Sequence, residues 1–299
     1  MSLTPPTLPA PFVVGVARSG TTLLRFMLDR HPDLAIPAET HFIPAVLQPP
    51  PSGASLRRDE FVHRITSSFT WADFGLSKDD FSSAVAAIDP FSTADGLRAF
   101  YRLCAESQNK PRWGDKTPTY TDYITAISAL LPEAYFIHVI RDGRAVAASR
   151  RHLSFGPGPD IVSQSQDWGR KIRDARMQAA SCPHYMEVRY EELVCNPEVV
   201  LRNICFHIGL TYNPAMVDYQ ATAQTRLAEF RDWQLASGEV ISAGEYRRGI
   251  HQRTLTPLDS KRVDHWRHVL QPAEVAAFEM EEGPLLRELG YSLCTDAGG

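Results

Sequence analysis

The stretch VVGVARSGTTLL, residues 13–24, decides how the chain is read. It sits at the end of an apolar, β-prone run, residues 12–17 (FVVGVA). After it, Leu23, Leu24, Met27 and Leu28 recur at helical spacing until Pro32. The pattern predicts a buried strand, a tight turn and a helix. Such a turn aims several backbone N–H groups at one point, and the helix dipole adds partial positive charge there. Gly15 and Gly20 have the spacing of a triphosphate-binding loop and let the backbone curl closely around an anion. Arg18 adds a formal charge, and Ser19, Thr21 and Thr22 add hydroxyl donors. A triphosphate loop, however, continues with Lys and then Ser or Thr, whereas this one continues with Thr21 and Thr22. An anion site without the loop lysine asks for a different ligand.

A second buried strand is predicted at Ala134–Ile140 (AYFIHVI), followed by the turn Arg141, Asp142, Gly143 and a helix from about Arg144. A third strand is predicted at Tyr185–Arg189. Strands alternating with helices imply an α/β fold of three layers, a central and mostly parallel sheet flanked by helices, as one domain over residues 1–299. Asp142 stands where a nucleotidase holds its metal, but Arg141 precedes it and Arg144 follows it. That basic cluster at a strand end suits a second anion, and no metal site is expected.

Elsewhere, residues 1–11 are Pro-rich and read as a flexible arm, and residues 44–60 as a long loop. Residues 61–110 read as mainly helical, with a break at 91–95. Residues 119–131 show one apolar helical face, and residues 166–176 a basic, solvated one. A last helix over 272–289 is expected to kink or break at Gly283 and Pro284.

Net charge is −4, which gives no global reason to expect nucleic acid or membrane as a partner. The five cysteines form no CxxC pair, so zinc and a disulfide framework are not expected, and a reducing compartment fits. There is no signal-peptide pattern and no apolar run near the ~20 residues of a membrane span. The reading is a cytoplasmic protein, or a soluble catalytic domain of something longer.

RSGTT resembles the 5′-phosphosulfate loop, (K/R)-(S/A/T)-G-(T/S)-T, of sulfotransferases that use 3′-phosphoadenosine-5′-phosphosulfate (PAPS). RDGRAVAAS resembles their second element, in which an Arg and a Ser eight residues later, here Arg141 and Ser149, hold the ribose 3′-phosphate. HPDLAIPAETHFIP is similar to the stretch of tyrosylprotein sulfotransferases whose Glu, here Glu39, is the general base. His41 is the rival base. GDKTPTY resembles the lysine segment of the same enzymes, which implies that Lys116 touches the bridging oxygen of the phosphosulfate. Tyr190 would border the adenine, and Arg247, Arg248 and Gly249 would close over the 3′-phosphate. The pattern around Trp266 resembles the family's terminal helix and reads as scaffold.

The resemblance implies a P-loop-like fold and in-line sulfuryl transfer to an acceptor hydroxyl. Glu39 would take the proton, and Lys116, Arg18, the loop amides, Thr21 and Thr22 would bind the departing phosphate, which leaves as adenosine 3′,5′-bisphosphate (PAP). The acceptor is open: a carbohydrate, a peptide tyrosine or another small-molecule hydroxyl. The motifs that carry the resemblance do not extend into residues 45–110, which are expected to bind or cover the acceptor. A homodimer is left open. Two rivals stand beside this reading, a kinase or nucleotidase with a degenerate loop and a nucleotide-binding protein without activity.

Overall fold

A computed structural model describes residues 8–50, 55–153, 156–235 and 237–295. The chain starts with β1 (Ala10–Val14) and α1 (Thr21–Asp29), then β2 (Leu34–Ala35). Four helices follow: α2 (Ile43–Leu47), α3 (Arg58–Thr66), α4 (Lys78–Ala86) and α5 (Thr93–Glu106). The short strands β3 (Arg112–Trp113) and β4 (Asp115–Lys116) lead into α6 (Ile124–Leu130). Next come β5 (Ala134–Ile140), α7 (Gly143–Arg150), α8 (Ile161–Ala179) and β6 (Tyr185–Arg189). Helices α9 (Tyr190–Cys195), α10 (Pro197–His207) and α11 (Gln220–Leu227) precede the hairpin β7 (Trp233–Gln234) and β8 (Val240–Ser242). The chain closes with α12 (Gly244–Gly249) and α13 (Pro272–Glu288).

The central sheet is parallel, in the order β4–β1–β5–β6. All five residues of β1 are buried, as a strand covered on both faces requires. Alternation divides its side chains between two cores. Val13 and Ile137 pack with Leu24, Met27 and Leu28 of α1 and with Ile204 of α10. Phe12, Val14 and Phe136 pack on the other side, among Phe61, Phe81 and Phe100 of α3, α4 and α5. A third cluster joins Trp168 of α8 to Phe278 and Leu286 of α13. The three-layer α/β arrangement is therefore the one the sequence predicts. Because β1 lies between β4 and β5, with one crossover on each side, the C-terminal ends of the sheet open into a crevice at this point, where open α/β sheets bind ligands.

Several boundaries move. The strand begins two residues earlier and ends three earlier than expected, so Ala10 and Pro11 belong to β1 and not to an arm. Proline is tolerated at the start of a strand. Residues 1–7 of that arm, and 51–54 of the expected loop, lie outside the described residues. The loop is also shorter than 44–60, because α2 and the start of α3 occupy its ends. The break expected at 91–95 falls just before α5, whose first residue is Thr93. The face over 119–131 is split between a 3₁₀ segment, Pro118–Tyr123, and α6. Helix α13 runs through Pro284 without interruption, because Phe278, Leu285 and Leu286 on either side of it are fixed in the third core. The basic face of α8 is paired, with Arg173 on Glu282, and Arg176 on Glu187 and Glu288.

Candidate active site

The turn between β1 and α1 is built for an anion. Gly20 has φ +98°, and a Cβ there would lie 2.3 Å from the Tyr190 ring. Arg18 also has positive φ, 76°, a conformation that costs a non-glycine residue about 1–3 kcal/mol and tends to persist where function requires it. No side chain caps α1, so its first-turn amides face the hollow of the loop. Ser19 Oγ is buried and has no hydrogen-bond partner among the described residues.

The second element meets the first here. Arg18 donates from Nε to Ser149 Oγ at 3.2 Å and from Nη2 to the Ile250 carbonyl at 3.0 Å. Arg141 donates to the Arg18 carbonyl at 3.0 Å and lies 4.4 Å over the ring of Tyr190. Its Nε has no hydrogen-bond partner among the described residues. Ser149 is carried on α7, whose N-cap is the Asp142 carboxylate. Asp142 also pairs with Arg144, which is buried against Glu279 and Trp266. Arg144 therefore does not join the anion cluster expected at this strand end. Arg141 alone faces the cavity there. Trp266 is packed scaffold, as expected.

Lysine 116 enters from β4, on the other side of β1. Its buried ammonium is ion-paired with Glu39 Oε1 and lies 3.3 Å from Thr22 Oγ1. Glu39 Oε2 is 2.9 Å from His41 Nε2, and His41 Nδ1 is 3.4 Å from Thr119 Oγ1. Burial alone would raise the Glu39 carboxyl, but the charge of Lys116 and the His41 hydrogen bond hold it well below the usual carboxylate range. Burial pushes the Lys116 ammonium down, against the pull of Glu39.

Asp115 does not pair with Lys116. Consecutive strand residues point to opposite faces, and Asp115 accepts hydrogen bonds from Thr40 at 2.8 Å and Tyr101 at 3.0 Å. Burial pushes its carboxyl up to about 6. Thr40 is tied at every polar atom: Oγ1 to Asp115 and Tyr120, N–H to Thr117, and carbonyl to Thr70. This buried threonine fixes Glu39 and His41 on either side of it. His41 keeps a positive φ of 52°.

The late segment departs from expectation. Gly244–Gly249 is helix α12 and not a phosphate loop. Both ends of the Arg247 fork are on Asp73, at 2.9 and 2.6 Å, so its donors are occupied although the residue borders the cavity. Arg248 donates to the Phe230 carbonyl, Gly249 is exposed, and neither lines the cavity. Instead Arg253 and Arg262 line it, with His251 between the two halves of the site. Burial, then the charges of Arg141 and Arg253, push Arg18 down to about 10. Burial, then Lys116 and Arg18, push His251 down to about 3, so the imidazole is neutral at pH 7. Within the basic stretch 246–257, Arg247 borders the cavity with its fork closed on Asp73, and Arg253 borders it without such a partner; Arg262 lies beyond that stretch. The region 45–110 contributes mostly core, and the turn containing Phe69 and Asp73 is the part of it that touches the site.

The whole cavity measures about 340 Å³. It brings together Arg18, Gly20, Thr21, Thr22, Glu39, Arg141, Ser149 and Tyr190, with Lys116 beneath them. Ser19 is buried in the same loop.

This arrangement can be set beside known proteins. The chain is 26% identical over 95% of its length to a protein-tyrosine sulfotransferase of Drosophila melanogaster, of which it spans about half, 52%. It is 27% identical over 95% of its length to protein-tyrosine sulfotransferase 1 of Danio rerio, covering 72% of that protein. It is also 27% identical to the nodulation protein NoeE of Sinorhizobium fredii, over 94% of this chain and 65% of the other. In three dimensions it resembles the sulfotransferase domain of the curacin biosynthetic pathway, with TM-score 0.58, 20% identity, and 96% and 99% of the two chains covered. It also resembles the sulfotransferase domain of the Synechococcus PCC 7002 olefin synthase, with TM-score 0.56, 25% identity, and 97% and 98% covered. The family model described as "Sulfotransferase family" matches residues 9–214, which hold the anion loop, Glu39, Lys116, Arg141 and Ser149, and the chain belongs to that family.

Proposed function

We propose that this protein transfers a sulfuryl group from PAPS to an acceptor hydroxyl. One observation carries the reading. Arg18, Arg141, Arg253 and Arg262 converge on one cavity, and among the described residues no carboxylate lies within 4.0 Å of any of them. Unpaired guanidiniums gathered in a partly buried site repel one another, and a ligand with several anionic oxygens relieves that cost. The unpartnered Ser19 Oγ and Arg141 Nε, together with the uncapped start of α1, fit such a ligand. The residues suit the donor's two anionic ends. The loop, Arg18, Thr21 and Thr22 would hold the phosphosulfate. Arg141, Ser149, Arg253 and Arg262 would hold the 3′-phosphate, and Tyr190 would border the base.

When bound, PAPS supplies the sulfuryl group, and its bridging oxygen keeps the bond electrons as PAP forms. Glu39 accepts the proton of the acceptor hydroxyl. Lys116 rests on Glu39 within hydrogen-bond reach of Thr22. A small shift of its ammonium toward the loop would offset negative charge there and raise the basicity of Glu39 in the same motion. His41 holds the second oxygen of Glu39 and fixes its orientation. Positioning and electrostatics of this kind supply most of the rate in comparable loose group transfers. Incubation with PAPS and a panel of hydroxyl compounds should yield PAP and a sulfate ester in equal amounts. Consumption of ATP in preference to PAPS would overturn the reading.

A further inference from the structure

The acceptor side of the cavity has a chemistry of its own. Beyond Glu39, three rings meet edge to face or tilted: His41 and Trp233, which line the cavity, at 5.2 Å, and Phe69 behind them, 5.8 Å from His41 and 5.0 Å from Trp233. The cation behind this wall is cancelled. Arg247 is stacked 3.9 Å over Trp233, and its fork is closed on Asp73, which also accepts from Trp233 Nε1 at 3.0 Å and from the Arg231 amide at 2.8 Å. Arg231 and Arg248, the neighbouring cations in sequence, do not line the cavity. The outer rim continues onto the β7–β8 hairpin, where Leu235, Val240 and Ile241 are 44%, 49% and 46% exposed. Among the arginines that line the cavity, those without a carboxylate partner among the described residues, Arg18, Arg141, Arg253 and Arg262, are the ones assigned to the donor.

We infer that the acceptor is an uncharged hydroxyl compound with an aromatic body, and that Asp73 sets this preference by neutralising Arg247 under the Trp233 wall. This rests on the sulfotransferase reading. An aromatic wall favours a flat apolar body stacked or edge-on against it. A carboxylate brought to the same place would lose water and find no free cation, which is costly. Specificity here comes as much from the missing counter-charge as from the rings. An acidic peptide is the acceptor this wall disfavours.

The test compares 4-ethylphenol, 3-(4-hydroxyphenyl)propanoate and a tyrosine peptide flanked by glutamates, each with PAPS and the wild-type protein. We expect kcat/KM to be at least tenfold higher for 4-ethylphenol than for either anionic acceptor. Asp73→Asn should narrow the gap between the two phenols at least fivefold by freeing the Arg247 charge. Asp73→Asn/Arg247→Gln, neutral again, should restore it, which a purely structural role for Asp73 would not do. If Asp73→Asn does not fold, the wild-type ratio decides. Equal or better use of the propanoate or the peptide by the wild-type protein would overturn the inference. A parallel titration with PAP separates the two levels: PAP binding with the wrong acceptor order sinks this inference alone, whereas no PAP binding sinks the donor reading and this inference with it.

Discussion

At the scale of single residues, the site turns on a few charges whose environments differ. Glu39 is ionised and partly open, with 18% of its side chain exposed, whereas Lys116 is fully buried beside it. If Glu39 is the base, Glu39→Gln should lower kcat by roughly 100- to 10,000-fold, the range of a lost general base, and leave PAP affinity within a fewfold of wild type. Activity retained in this variant, measured by PAP release, would pass the role to His41. Arg141 makes a different prediction. Arg141→Ala should cost PAP binding about 1.5–3 kcal/mol, the worth of hydrogen bonds to a charged group, and adenosine 5′-monophosphate much less. Equal losses for the two ligands in calorimetry would remove the 3′-phosphate from Arg141. Much of this scale was legible in sequence, because Arg18, Arg141 and Ser149 lie in short motifs at strand ends, where local geometry determines where they point. Arg253 and Arg262 were not. Arg253 shares a basic stretch with Arg247 and Arg248, Arg262 lies beyond it, and only Asp73, 174 positions before Arg247, shows that the Arg247 fork is already occupied.

At the scale of elements, β4 shows how a strand can hold one candidate functional and one structural polar residue. In β4, Lys116 faces the loop and Asp115 faces the Thr40 network. Thr40→Val would remove the hydroxyl that meets Asp115 and Tyr120, and it should cost about 1–3 kcal/mol of stability and lower kcat by misplacing Glu39. Unchanged kcat in a destabilised variant would separate that network from the site. In β5, His138 is fully buried, with Nδ1 2.6 Å from Tyr185 Oη and no partner for Nε2 among the described residues. Burial pushes it down from 6.5 to about 4. Its neutral form is favoured by folding, so its contribution to stability is complete above pH 6.5 and is lost as pH falls toward 4. Roughly 3 kcal/mol is involved. Thermal unfolding of His138→Asn should therefore depend less on pH over that window than wild type, and an identical slope would refute the assignment. The sequence showed β5 and β6 with their observed bounds, because β5 is an apolar run between clear turn signals and β6 alternates about the buried Val188. It misplaced β1 because Pro11 looks like the end of an arm, and it expected a break in α13 because the packing that carries Pro284 comes from α8, far away in sequence.

At the scale of the whole molecule, the crevice is made by topology. The order β4–β1–β5–β6 puts Lys116 and Arg141 on opposite sides of the β1 loop, so the lysine absent from the loop is supplied by a neighbouring strand. Strand and helix periodicity made the layers legible. The acceptor wall was not, because Phe69, Asp73, Trp233 and Arg247 come from two segments that no local pattern links. Binding of the donor in this crevice underlies every role proposed for the residues around it. The direct measurement is calorimetric titration of the protein with PAP and, separately, with ATP and Mg²⁺. PAP should bind at least tenfold more tightly. ATP with Mg²⁺ binding as tightly as PAP, or more tightly, would contradict it.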